Sequence, residues 1–219
     1  MISYEIPLVI SLICVAMVAR GTIDGVQVNG SLNLNVIAAL QADRPFILLQ
    51  PLAFIIFFTA MLSELHRAPF DIPVAESEIV GGYFVEYSGI RWSMFQLSEY
   101  AAMWGFSLFG SVLFLGGWAF PFGQEWGWGW QLALTLAKSL IWILAMMWVR
   151  VTVPRLRIDQ LMSFCWKVLL PMSIAQFVAN GFILAYDWPE WTLSLTSGIG
   201  AAALVAFIIY RALHRPRTT

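Results

Sequence analysis

The sequence predicts an all-α fold, a polytopic bundle of about six transmembrane helices with one long acidic loop that itself contains a short helix. Three observations carry this. The chain is 60% apolar and 11% charged, against about 25% charged for a soluble domain, and its mean hydropathy is +0.76. Its apolar runs approach the roughly 20 residues that cross about 30 Å of hydrocarbon. Those runs lack two-residue alternation, which together with the need to satisfy every backbone group in lipid selects helices over barrel strands.

The runs fall at 5–19, 46–63, 93–120, 130–149, 161–186 and 191–210, and one integral membrane domain, 1–219, accounts for all of them. The connection 21–45 is rich in Gly and Asn and includes LNLNVIAAL, which reads as a short surface helix. The connection after the third run, PFGQEWGWGW, places Trp126, Trp128 and Trp130 as an interfacial aromatic belt. Arg67, Arg91, Arg150, Arg155, Arg157, Arg211, Arg215 and Arg217 fall on one side of the alternating runs, with Lys167 just inside the fifth run on that side. The other side holds Arg20 and Arg44, and Lys138 lies within a run. The positive-inside rule then makes the basic side cytoplasmic, with both termini and the acidic loop on it. The first run lacks a basic leader and a clear cleavage motif, so it is not read as a signal peptide.

The acidic loop, 64–91, is the functional candidate. ELHRAPFDIPVAESEIVGGYFVEYSGIR holds Glu64, Asp71, Glu76, Glu78 and Glu86, more than a third of the 13 acids, with Arg67, Arg91 and His66 to balance them. A simple helix connection needs no such density. Pro69 and Pro73 end the preceding helix, and Pro73 suits the first turn of a new one. If that helix continues through Gly81-Gly82, Glu76, Tyr83 and Tyr87 share a stripe at i, i+7 and i+11. A carboxylate flanked by phenols can hydrogen-bond a polar head group and pass protons. The competing reading is a solvated or protein-covered acidic surface.

Polar residues inside the runs form a second set: Glu5, Glu99 and Lys138. An ionisable group at mid-membrane costs about 2.5–3.5 kcal/mol and usually faces a bundle interior or a proton path. A relay and a structural ion pair both fit. Cys14 and Cys165 lack ligand-like spacing, so no disulfide, zinc or iron–sulfur site is expected. His66 and His214 are isolated, and no phosphate loop, dinucleotide fingerprint or nucleophile elbow is present.

These residues carry a family resemblance. ELHRAPFDIPVAESEIVGGYFVEYSG resembles the cytoplasmic loop of the quinone-channel membrane subunit of respiratory complex I (the H subunit in bacteria), whose pattern is close to AExNRxPFDLPEAESELVxGYxxEYS. Ser3-Tyr4-Glu5 matches that family's SYE element, and Ser98-Glu99-Tyr100 its AEY element. WVRVTVPRLRIDQLMSFCWKVLLP, residues 148–171, matches WVRxxxPRxRxDQLMxxxWKxxLP. The likeness runs to about Tyr186. Val74 stands where the family has the first acid of its PEAESE stretch. Met1 aligns about three helices into the family pattern. The first quinone-tunnel helix and the GPNRxGPxGxxQ loop are therefore expected on a longer form of the chain or on a second polypeptide.

The resemblance implies a subunit of a proton-pumping NADH:quinone oxidoreductase, inactive alone, located in the plasma membrane or an organelle's inner membrane. It implies that Arg67, Asp71, Glu76, Glu78, Tyr83, Glu86 and Tyr87 shape the quinone cavity and that Glu5, Glu64 and Glu99 relay protons toward antiporter-like subunits. Quinone is the implied substrate. NADH, FMN and iron–sulfur clusters are expected on peripheral subunits docked on the loop, with no redox cofactor, metal or nucleic acid on this chain. The alternative is the membrane anchor of an energy-converting hydrogenase, which shares the PFD and EYSG elements but matches AESE and RLRIDQLMSFCWKVLLP less well.

Overall fold

A computed structural model describes residues 2–23, 26–42, 44–67, 69–70, 86–119, 127–189 and 191–213. The first helix, α1 (Ile2–Val18), is 17 residues long and carries Pro7 on its buried side. Its end is closed by an antiparallel hairpin of β1 (Arg20–Ile23) and β2 (Val26–Asn29), in the register Arg20↔Asn29 and Ile23↔Val26. The backbone N–H of Gly30 donates to Ala19 O at 3.1 Å, and that of Ser31 to Ala16 O at 3.1 Å. The hairpin thus supplies partners for carbonyls that a helix end leaves over. Gly30 lies at φ 82° beside Ala16 O, a conformation that favours glycine. The fold is therefore not wholly helical. The sequence signal was Asp24-Gly25 between two short extended stretches, a strong two-residue hairpin pattern.

A short helix, α2 (Leu34–Leu40), begins where Asn33 caps the Asn35 N–H at 3.0 Å. It agrees with the expected helix in LNLNVIAAL, but Ile37 and Ala38 are buried, so it packs instead of lying on the surface. Gln41 after it is fully buried. Its Nε2 donates to Val112 O and Leu113 O, both at 3.1 Å, and its Oε1 accepts from Phe46 N at 3.1 Å.

The run expected as one helix over 46–63 is divided into α3 (Phe46–Leu49) and α4 (Pro51–Glu64). Pro51 donates no hydrogen bond and disfavours helical geometry in the residue before it. Gln50 accordingly sits at φ −136°, ψ 63°. Ser197 donates its hydroxyl to Leu49 O at 2.8 Å, giving a carbonyl at the break a partner.

Helix α5 (Ile90–Leu115) ends five residues before the expected boundary at 120, where Gly116 takes a left-handed conformation and Gly117 N–H bonds to Ser111 O at 3.0 Å. Glycine is the usual residue for such a stop. Then come α6 (Trp128–Thr152), α7 (Ile158–Ala185) with a π-helical turn at Cys165–Leu169, and α8 (Trp191–Leu213). Among the described residues α6, α7 and α8 are long and apolar enough to cross a membrane. The 14 residues of α4 span only about 21 Å at about 1.5 Å per residue.

Helix α1 packs on α4 and α7, α8 joins α4 and α7, and α5 pairs with α6. The two groups meet in an aromatic cluster. Phe54 lies 5.2 Å from Trp142, Phe57 5.4 Å from Phe114, and Phe58 5.6 Å from Trp142, ring centre to ring centre. Gly110 makes room for it, because a Cβ there would fall 2.9 Å from Trp142 Cζ2. Outward faces of α5, α6 and α7 expose Leu97, Trp104, Leu144, Trp148 and Phe182. Lipid or neighbouring chains suit such faces, which are too apolar for water.

Candidate functional site

The end of α4 builds the site. Leu65 closes the helix, His66 follows at φ 47°, and Arg67 N–H returns to Leu62 O at 3.2 Å while His66 N–H bonds to Ser63 O at 3.3 Å. This is a Schellman turn, with histidine at the position usually held by glycine. It doubles the chain back, so that Arg67 Cζ lies 5.0 Å from the centre of the Tyr100 ring on α5. That distance is within the range of cation–π attraction.

The polar edge of Arg67 is otherwise unanswered. Its Nε and Nη2 are buried and have no hydrogen-bond partner among the described residues, and neither has the buried Oε2 of Glu64. An unmatched buried charge costs several kcal/mol, so these atoms mark a place built for a polar partner. Tyr4 on α1 is buried and within electrostatic reach of both Glu64 and Glu5. Ser3 beside it donates to Met162 Sδ at 3.4 Å, which fixes the start of α1 against the start of α7. The peptide of Leu156 bonds to Pro69 O at 3.0 Å and ties the 153–157 connection to the loop entry. One end of the bundle therefore gathers α1, α4, α5 and α7 around Arg67, Glu64, Tyr4 and Tyr100.

Chemically this set couples a fixed cation to a row of proton carriers. A guanidinium stabilises charge developing on an oxygen, and a carboxylate–phenol–carboxylate series can transfer protons. Glu64 and Arg67 both lie at the end of α4, with no ion pair between them. Glu5 adjoins Tyr4 but is itself exposed, and Glu99, half-buried, adjoins Tyr100. Glu86 is exposed, while Tyr87 folds onto α5 with its ring 4.9 Å from Phe95. Asp71, Glu76, Glu78 and Tyr83, with the expected short loop helix and its stripe, lie outside the described residues. Among the described residues no three His, Cys, Asp or Glu side chains gather as a metal set.

Lys138 belongs elsewhere. Its Nζ donates to Leu115 O at 2.7 Å and to Gly117 O at 2.6 Å, capping the end of α5. Of its two sequence readings, the geometry favours the structural one, with peptide carbonyls among its partners. Sequence reasoning singled out Glu5 and Glu99 but passed over their neighbours Tyr4 and Tyr100. The usable signal was a tyrosine beside each acid within an apolar run.

Comparison with known proteins identifies the family. The chain is 41% identical over 208 residues to the H subunit of NADH-quinone oxidoreductase from Dehalococcoides mccartyi strain CBDB1, covering 95% of this chain and 54% of the relative. It is 46% identical over 189 residues to the same subunit from Bacillus thuringiensis strain Al Hakam, covering 84% and 51%. For Bacillus mycoides strain KBAB4 the identity is 47% over 189 residues. The chain thus spans about half the length of the curated relatives it matches. A model of NADH dehydrogenase matches residues 1–181, which include every residue of the Arg67 site, and the chain belongs to that family.

Proposed function

We propose that the chain is a membrane subunit of a proton-pumping NADH:quinone oxidoreductase, forming part of the quinone cavity and the start of the proton path. The observation that carries this is the buried polar edge of Arg67 and Glu64, unanswered among the described residues, near Tyr4 and Tyr100 in a chain of this family. The names of its relatives support the same activity. The reading that these features support is of a protein in the plasma membrane with both termini cytoplasmic, and of a 64–91 loop that faces peripheral subunits.

Quinone reduction takes up two electrons and two protons. The electrons come from iron–sulfur clusters on partner subunits, fed by NADH and FMN; this chain's residues handle orientation and protons. Arg67 faces the substrate's carbonyl oxygen as negative charge builds there, and Tyr100 holds the guanidinium flat. Asp71, Glu76, Glu78, Tyr83, Glu86 and Tyr87 complete the polar wall from the loop. Glu64, Tyr4 and Glu5 then pass the protonation change along α1, with Glu99 on α5, toward antiporter-like subunits.

Arg67→Ala in the assembled complex tests this. Loss of a charged hydrogen bond, about 1.5–3 kcal/mol, should lower quinone reductase activity roughly tenfold to hundredfold. Electron transfer to a soluble artificial acceptor should persist. An equal fall in both activities would return Arg67 to a purely structural role.

A further inference from the structure

At the opposite end of the bundle from Arg67, a cavity of about 600 Å³ opens between the ends of α1, α2 and α7 and the starts of α3 and α8. Arg20 and Arg44 line it, with Phe46, Leu49, Asp187 and Trp188 among its walls. These are the two arginines that stand against the basic asymmetry of the sequence, and both meet at one cavity. The Arg20 guanidinium is positioned from behind, with Nη1 donating to Leu184 O at 3.1 Å. Asp187 Oδ1 lies 3.7 Å from it, but that carboxylate is 91% exposed, and a solvated pair of this kind neutralises little. Arg44 makes no side-chain hydrogen bond or ion pair among the described residues. Among the described residues the cavity therefore joins a surplus of positive charge to partly apolar walls, and its size suits a ligand of drug-like or lipid-headgroup dimensions.

We propose that this cavity binds an anionic phospholipid, its phosphate between Arg20 and Arg44 and its acyl chains along Phe46 and Leu49. A free anion would leave the apolar walls unused, and an uncharged lipid would leave the guanidinium pair unused. Paired N–H donors of arginine match phosphate oxygens. Trp188, exposed at the rim, is a residue type that settles at the membrane–water boundary. Asp187, mostly exposed, competes only weakly with the phosphate for Arg20. The inference is independent of the quinone reading.

The test uses the full chain purified in neutral detergent, with phosphatidylglycerol and phosphatidylcholine of identical acyl chains titrated in and bound lipid counted by native mass spectrometry. Phosphatidylglycerol should bind at least several-fold more tightly. Each arginine near a lipid phosphate contributes about fivefold, so Arg44→Gln should lose about that and the Arg20→Gln/Arg44→Gln pair roughly twenty-fivefold. Asp187→Asn should strengthen binding modestly, up to about twofold. Arg150→Gln, at the other end of the bundle, should leave binding unchanged. If Arg20→Gln disturbs folding through its bond to Leu184 O, Arg44→Gln and Asp187→Asn still give opposite expected shifts. Equal binding of the two lipids would overturn the proposal. So would unchanged binding in Arg44→Gln, or full displacement of the lipid by millimolar inorganic phosphate, which would mark an anion site only.

Discussion

At the scale of single residues, His66 decides where Arg67 goes. A left-handed residue with a Cβ costs about 1–2 kcal/mol relative to its ordinary helical conformation, and His66 adopts it at φ 47°. His66→Gly should therefore keep or raise thermal stability and leave quinone reductase activity in place. His66→Val should destabilise by about 1 kcal/mol or more and impair the site through Arg67. A melting series of the two variants checks the turn, and equal stability would show that the conformation is not strained. Glu99 is the second residue in question. Glu99→Gln keeps size and hydrogen bonding but removes the exchangeable charge, so the complex should assemble while turnover and proton translocation fall together. Glu99→Asp should retain part of both. Wild-type pumping by an assembled Glu99→Gln complex would withdraw Glu99 from the relay.

At the scale of elements, the α5–α6 contact rests on a missing side chain. Trp142 packs against Gly110 so closely that a methyl group would sit 2.9 Å from its ring. Gly110→Ala should cost about 1–3 kcal/mol by overpacking, read as an earlier unfolding midpoint in detergent, and Gly110→Ala with Trp142→Phe should recover part of it. If the single variant is as stable as the parent, the two helices are not held in this register. The same pair of helices explains the fate of Lys138. Because α5 stops at Gly116, free carbonyls fall beside the middle of α6, and a lysine there answers a need that α6 alone does not reveal.

At the scale of the whole molecule, the arrangement of ends matters most. Arg67, Glu64, Tyr4 and the start of α7 share one end, and Arg20, Arg44 and Asp187 share the other. If α5 spans the membrane, cysteines at Ser88 and Gly127, which flank it and are exposed, should label from opposite faces. The native Cys14 and Cys165 are buried and should contribute little background. Labelling of both sites from one face would remove the crossing and, with it, the cytoplasmic placement of the 64–91 loop. The outer faces of α5 and α6 are apolar as well, a surface suited to lipid or to a further polypeptide.

The amino-acid order alone determined the membrane class, the approximate helix positions and the residues at issue, because hydrophobic run length and rare intramembrane charges are local properties. Pro51 and Gly116-Gly117 were also local signals for the broken and shortened helices, although a hydropathy run averages across them. Only the tertiary structure decided that Tyr4 comes within electrostatic reach of Glu64, that Tyr100 lies under Arg67 and that Lys138 caps α5. It alone brought Arg20, Arg44 and Asp187 to one cavity. Each of these is a meeting of groups from different segments of the chain. Helix packing sets such meetings through the shape of facing surfaces, and no periodicity within a single segment records it.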